Sequence, residues 1–438
     1  MSGFAAILVP DDLLEAVSDR AWLAAMLEAE RALANAEAAA GAIPAAAAGA
    51  IAARCRPELF DPGRLAEAGR SAANPVEPLV RELAEAVGGA DAAYVHRGAT
   101  SQDIMDSAAM LVARRALRIA LARLDAAAAR CAELARVHRS TPMAARTLLQ
   151  QAVPTTFGLK CAGWLVALLD ARASLRRIDR DRLAAQLGGA GGTLAALGEH
   201  GPEVERRFAR ELGLAEPVLP WHADRQRVAE LGAALATAAG AAAKIAGDIV
   251  LLSQTEVAEV REGGGGASST MPQKRNPAAS ARAVACARQA RGHAAVLLAA
   301  TEVEHERAAG AWQSEWAALS GALACAGGAI ANAAEALAGL EVDPARMREN
   351  LDLTGGLVNA ERVSHLLAPR VGRSEAHEIV ATAAATGSFR WAIVADERVG
   401  LSAEDVDALL DPEGYLGAAE ELVDRALARY EAGEGGGA

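Results

Sequence analysis

Aromatic side chains are scarce in this sequence: six Trp, three Tyr and five Phe among 438 residues. The apolar share is still 52%, so the bulk comes from Ala, Leu and Val. Alanine is the strongest helix former and a poor strand former. The composition therefore argues against a sandwich, a barrel or a parallel sheet. So much apolar surface also excludes disorder as the dominant state, because enough can be buried to offset the ordering entropy. Paired cysteines are missing as well. Cys55, Cys131, Cys161, Cys286 and Cys325 are odd in number, scattered, and form no CxxC pair. They read as reduced thiols of a cytoplasmic protein, not as a disulfide framework or a zinc site.

There is no Lys/Arg-rich tract, and the net charge is −12. Both argue against nucleic-acid or acidic-membrane partners. The opening MSGFAAILVPDDLLEA has no basic stretch and meets Asp11 and Asp12 too early for a signal peptide. Residues 316–334 carry no charge and approach the length of a membrane span, about 20 apolar residues. Their Ala, Gly, Ser and Asn contribute little transfer energy, so a helix buried within a bundle is expected and no membrane segment.

Several long helical patterns are present. Residues 1–102 alternate short Ala/Leu/Glu stretches with breaks near 41–44, 57–63 and 74–78, and read as a small helical domain. From Asp103 an uninterrupted pattern runs to Arg139 without Gly or Pro. Comparable stretches cover 155–187, 224–260, 278–301 and 311–340. Residues 231–252 are small and apolar all round, which requires burial on several sides, and a single subunit has limited means of providing it. Residues 103–343 are thus expected to form a central long-helix bundle domain shared between subunits. Beyond it, 344–438 form a third helical domain with a frayed tail.

The polar breaks hold the residues that packing alone does not require. Residues 263–277, GGGGASSTMPQKRNP, set four glycines before two serines, then a cation and an amide. Such a hinged loop can close over a carboxylate. Its text resembles the signature of the fumarase/aspartase superfamily, with one departure: Ala267 stands where a glycine is usual. HRGATSQDIMDS (96–107) and ARTLLQQAVPTTFGLK (145–160) resemble the other two regions of that family. The resemblance implies an all-α fold of three helical domains and a homotetramer with a twenty-helix core. Each active site would draw on three subunits, and no metal or organic cofactor is implied.

By the same resemblance, Ser268 is the proton-transferring residue, and Lys274 and Asn276 stabilise an aci-carboxylate intermediate. Thr100 and Ser101 are carboxylate ligands. His96, Thr147, Gln150, Ser269 and Met271 contact a small polycarboxylate substrate. Arg307 is either a ligand for a third carboxylate or one half of a surface ion pair, with His305 beside it, and Arg146 either binds a carboxylate or tethers the loop. Trp221, His222 and Trp312 either face the substrate or pack.

Two departures bear on the reaction. Lyases of this superfamily usually carry a histidine where this chain has Leu148, paired with a glutamate where it has Ala281. Amine and hydroxide leaving groups need an acid, whereas a carboxylate, with a pKa near 4, does not. Lactone closure by an internal carboxylate suits a site without that pair. It is the reaction of a cycloisomerase branch acting on carboxylated muconates, which the stretches AAQLGGAGGTLAALGEHG, LPWHADRQRVAELG and VEHERAAGAWQSEW also resemble. A lyase expelling a good leaving group such as nitrite, or a non-catalytic scaffold, are the competing readings.

Overall fold

The computed structural model describes residues 3–263, 266–267, 271 and 274–434. Ser268 and Ser269 lie outside the described residues. The chain is built of helices, in agreement with the all-α expectation. An early helix, α1 (Asp19–Ala39), starts where the Ser18 hydroxyl accepts from the Ala21 amide at 3.2 Å. Five longer helices follow: α2 (Ser101–Val137), α3 (Phe157–Asp181), α4 (Gln226–Leu252), α5 (Ala278–Ala299) and α6 (Ala311–Ala338). The 37 residues of α2 span about 55 Å at 1.5 Å per residue.

Strands are confined to short antiparallel pairs: β1 (Pro142–Thr147) with β2 (Gln150–Thr156), β3 (Val260–Glu262) with β6 (Leu340–Val342), and β4 (Gly266–Ala267) with β5 (Arg275–Asn276). The helical pattern expected from residue 155 begins at Phe157, because the preceding residues join the first hairpin.

The chain divides into two compact units. One comprises residues 1–125, 170–243 and 282–334. Its core is made of small side chains at close approach. Ala113 and Leu117 of α2 and Ala322 and Ala326 of α6 are all buried. A Cβ on Gly321 would lie 2.4 Å from the His293 ring, so only glycine permits that contact. Burial in turn lowers the His293 pKa. The indole of Trp22 donates to the Ser320 hydroxyl at 2.9 Å.

The other unit comprises residues 126–169, 244–281 and 335–438. It holds the β1–β2 hairpin, the β4–β5 pair and a separate C-terminal core of Val363, Leu367, Ile379, Phe389, Ile393 and Val406. Helices α4 and α6 are both long and apolar enough to cross a membrane. The apolar window of α6 is 83% buried within the fold, as suits a core helix, whereas that of α4 is 44% buried. All five cysteines are free, four of them buried and Cys55 half-buried.

Candidate active site

The first unit carries one group of candidate residues on the turn that precedes α2. His96 (φ 58°) and Gly98 (φ 74°) reverse the chain, and a side chain at 98 would strike Leu197. Asp103, in the first turn of α2, is fully buried. Its carboxylate accepts the amides of Thr100 at 2.9 Å, Gly188 at 3.0 Å and Gly189 at 2.9 Å. It also pairs with His222 Nε2 at 2.6 Å. One carboxylate thus pins the turn to the 188–189 loop.

Arg307 then joins that loop to Thr100. It donates to the Thr100 hydroxyl at 3.0 Å and to the carbonyls of Ala190 at 3.0 Å and Gly189 at 3.4 Å. Thr100 and Arg307, two residues expected to bind carboxylates, are therefore brought together, with Ser101 adjacent as the first residue of α2. His96 is held from α1: its Nδ1 lies 2.6 Å from Glu30 Oε1, and the Glu30 side chain is fully buried. His305 (φ 47°) is exposed on the loop that carries Arg307.

Trp221, His222 and Trp312 are packed. The Trp221 indole donates to Ala185 O at 2.9 Å and lies beneath Arg225 and Arg227. Trp312 donates to Asp106 at 3.0 Å and meets Trp316 edge-on at 4.9 Å. Behind them Arg225 is buried between Asp106 (2.7 and 2.9 Å) and Glu315 (2.9 Å). Burial raises the Glu315 pKa, against the pull of Arg225.

The second unit, described by itself, carries a further group of candidate residues. Thr147 pairs with Gln150 across the β1–β2 hairpin, leaving Leu148 (φ 49°) and Leu149 (φ 64°) as its two-residue turn. Two successive positive φ values mark the turn type that favours Asn-Gly. Leucines there are unfavourable for the backbone, and their side chains are 97% and 71% exposed. The Arg146 guanidinium is occupied by buried Glu259, at 2.9 and 2.6 Å, and Asn350 donates to the same carboxylate at 2.8 Å. That brace ties β1 to the residue preceding β3.

The signature loop leaves β3 and returns through β5, where Gly266 pairs with Asn276 and Ala267 with Arg275. Its base is clamped by buried Glu262, which accepts the Ala279 amide at 2.7 Å, the Ser280 amide at 3.0 Å and the Ser280 hydroxyl at 2.7 Å. Lys274 and Met271 are exposed and Asn276 is half-buried. Among the described residues no cluster of His, Cys, Asp and Glu is arranged to hold a metal.

Sequence reasoning passed over Asp103, Glu30, Glu259 and Glu262, the buried carboxylates that hold these elements in place.

A model of the family described as "Lyase" matches residues 9–292, and one described as "Adenylosuccinate lyase C-terminus" matches 356–426. The chain belongs to this lyase family. The superfamily resemblance carried by SSTMPQKRNP is borne out. A 3-carboxy-cis,cis-muconate cycloisomerase of Bradyrhizobium diazoefficiens is 48% identical over 429 residues, covering 95% of each chain. A nitrosuccinate lyase of Streptomyces davaonensis is 48% identical over 433 residues, covering 94% of this chain and 91% of the relative. Among solved structures, the 3-carboxy-cis,cis-muconate lactonizing enzyme of Pseudomonas putida superposes with a TM-score of 0.92 at 41% identity, covering 98% of this chain and 99% of the other. The hairpin tip, where the resemblance leads one to expect a histidine, here presents two leucines.

Proposed function

We propose that this chain lactonises 3-carboxy-cis,cis-muconate to 4-carboxymuconolactone. One substrate carboxylate adds to the conjugated carbon within reach, and the electron pair moves onto the carbon next to a second carboxylate. Lys274 and Asn276 stabilise the resulting aci-carboxylate. The Ser268 hydroxyl then protonates that carbon and regains a proton from water, equal to the one the attacking carboxyl had released to solvent, so the acid is isomerised with no other reactant. Thr100, Ser101 and Arg307 hold carboxylates, His96 adds a further contact, and Thr147, Gln150, Ser269, Met271 and His305 border the substrate. Arg146, already occupied by Glu259, acts as the tether of β1.

The observation that carries this reading is the hairpin tip. Leu148 and Leu149 cannot donate a proton, and Ala281 leaves the partner position empty of charge. A carboxylate nucleophile does not need that acid, and proximity within one substrate molecule replaces much of the lost assistance.

Assembly as a cytoplasmic homotetramer, with each site shared by three subunits, is part of the proposal. It is supported by the exposed apolar surface of α4 and by the exposed Leu148, Leu149, Val218 and Leu219. The division into segments 1–102, 103–343 and 344–438 belongs to it as well.

The test is incubation of purified protein with 3-carboxy-cis,cis-muconate, followed by loss of diene absorbance and appearance of the lactone. No change at micromolar enzyme would remove the reading. Ser268→Ala is expected to lower turnover by about a thousandfold or more without altering assembly on gel filtration; retained activity would place the proton donor elsewhere. The similarity to a nitrosuccinate lyase favours one second reading, β-elimination of nitrite, which also needs no acid. Nitrite release from nitrosuccinate tests it.

A further inference from the structure

His96 carries a charge arrangement that its place in the turn does not require. Its Nδ1 is engaged by Glu30 at 2.6 Å, while 15% of its side chain remains exposed. Seven residues along the same face of α1, Glu37 is fully buried. Both Glu37 oxygens and Glu30 Oε2 lack any hydrogen-bond partner. Two buried carboxylates thus flank one imidazole. The groups facing it are Glu30 and Glu37 from α1, Asp103 from α2, and Arg97 beside it in the turn. Arg97 is anchored by donating to Ala42 O at 3.0 Å. Cys55, near Glu30, is a neutral thiol, pushed up to about 12 by burial.

The state of the second ring nitrogen decides what the imidazole can bind. With Nδ1–H donated to Glu30, a neutral ring leaves Nε2 as an acceptor, which repels a carboxylate. A protonated ring makes Nε2–H a charged donor, which binds one. We infer that Glu30 is the positioning residue of His96, its buried charge holding the imidazolium so that Nε2–H binds a substrate carboxylate beside Thr100 and Arg307. The inference rests on the polycarboxylate substrate proposed above. Burial alone would lower the His96 pKa, but the Glu30 charge and hydrogen bond, with Asp103 behind them, outweigh it and raise it. Desolvation pushes Glu37 up to about 8, against the pull of Arg97. At neutral pH Glu37 is therefore an uncharged acid, and the His96–Glu30 pair stays balanced instead of repelling an anion.

Glu30→Gln separates the role of the charge from that of the shape, since its amide oxygen still accepts from Nδ1–H. The variant is expected to raise KM for 3-carboxy-cis,cis-muconate about tenfold at pH 8 with kcat within about twofold, and to recover toward pH 6. A merely structural role would give a loss independent of pH, and that result would overturn the inference. A second readout needs no substrate. In protein labelled with 13C at histidine Cε1, with His96 assigned through His96→Gln, the wild-type His96 should titrate above the ordinary histidine value. In Glu30→Gln it should titrate well below the wild-type value, because burial then meets less opposition. Wild-type titration at or below 6.5, or identical titrations in both proteins, would also overturn it. If the histidine signals behave as expected but the muconate is not consumed, the proposed substrate fails and the role of Glu30 stands.

Discussion

The turn at 96–100 and the hairpin tip at 148–149 both use non-glycine residues in the left-handed region, His96 in one and Leu148 and Leu149 in the other. Their surroundings are opposite. The first is pinned by Asp103 to three amides and a histidine, by Arg307 to two carbonyls and a hydroxyl, and by Glu30 from α1. The second sends two leucine side chains into solvent. Residues in such backbone regions cost of order 1–3 kcal/mol each and persist where surrounding contacts over-determine them. The turn offsets its strain within its own unit. The tip has no such internal compensation among its side chains, as the proposed sharing of the site between subunits requires.

The largest expected effect tests the pinned side. Asp103→Ala strands His222 and three amides, and should cost about 3–5 kcal/mol of stability, measured by urea denaturation. A loss below about 1 kcal/mol would show that the turn is held by other contacts.

Glu37→Gln comes next. The folded-state pKa of Glu37 is raised from 4.5 to about 8. Its favourable contribution to the fold is therefore complete below 4.5 and lost as pH rises toward 8. The glutamine variant should be more stable than wild type by roughly 4 kcal/mol at pH 8, with the gap closing by pH 4.5. A constant gap across that range would mean Glu37 does not titrate there.

On the exposed side, Leu148→Asn with Leu149→Gly supplies the residues this turn favours. It should stabilise the isolated hairpin region by about 1 kcal/mol and yet lower kcat/KM, which sharpens the contrast. Unchanged activity would deny the tip any part in the site. The smallest effect is expected for His305→Ala, within about twofold in kcat/KM, because the exposed ring borders the site without being held there.

The long helices were legible because their periodicity is strong and uninterrupted. The pattern expected over 103–139 is realised as Ser101–Val137. The hairpin at 142–156 was not, since a Leu-Leu turn contradicts the residue preferences of its own backbone geometry. The signature loop could be placed from its text alone, and Thr100 and Arg307 converge although 207 positions separate them. The buried carboxylates escaped notice because their partners are distant in sequence: Asp103 meets Gly188 and His222 at separations of 85 and 119. Glu30 and Glu37 lie in an Ala-rich helical stretch with no motif around them. Their spacing of seven, which puts both on one face, was the available signal.

The proposed site closes a lactone without the acid pair expected of the superfamily's lyases. Its most direct test compares kcat/KM for 3-carboxy-cis,cis-muconate and for nitrosuccinate on one preparation of the wild-type protein. A preference for the muconate of about a hundredfold or more, nearly 3 kcal/mol in transition-state stabilisation, is expected. A preference for nitrosuccinate, with nitrite released and no lactone formed, would contradict it.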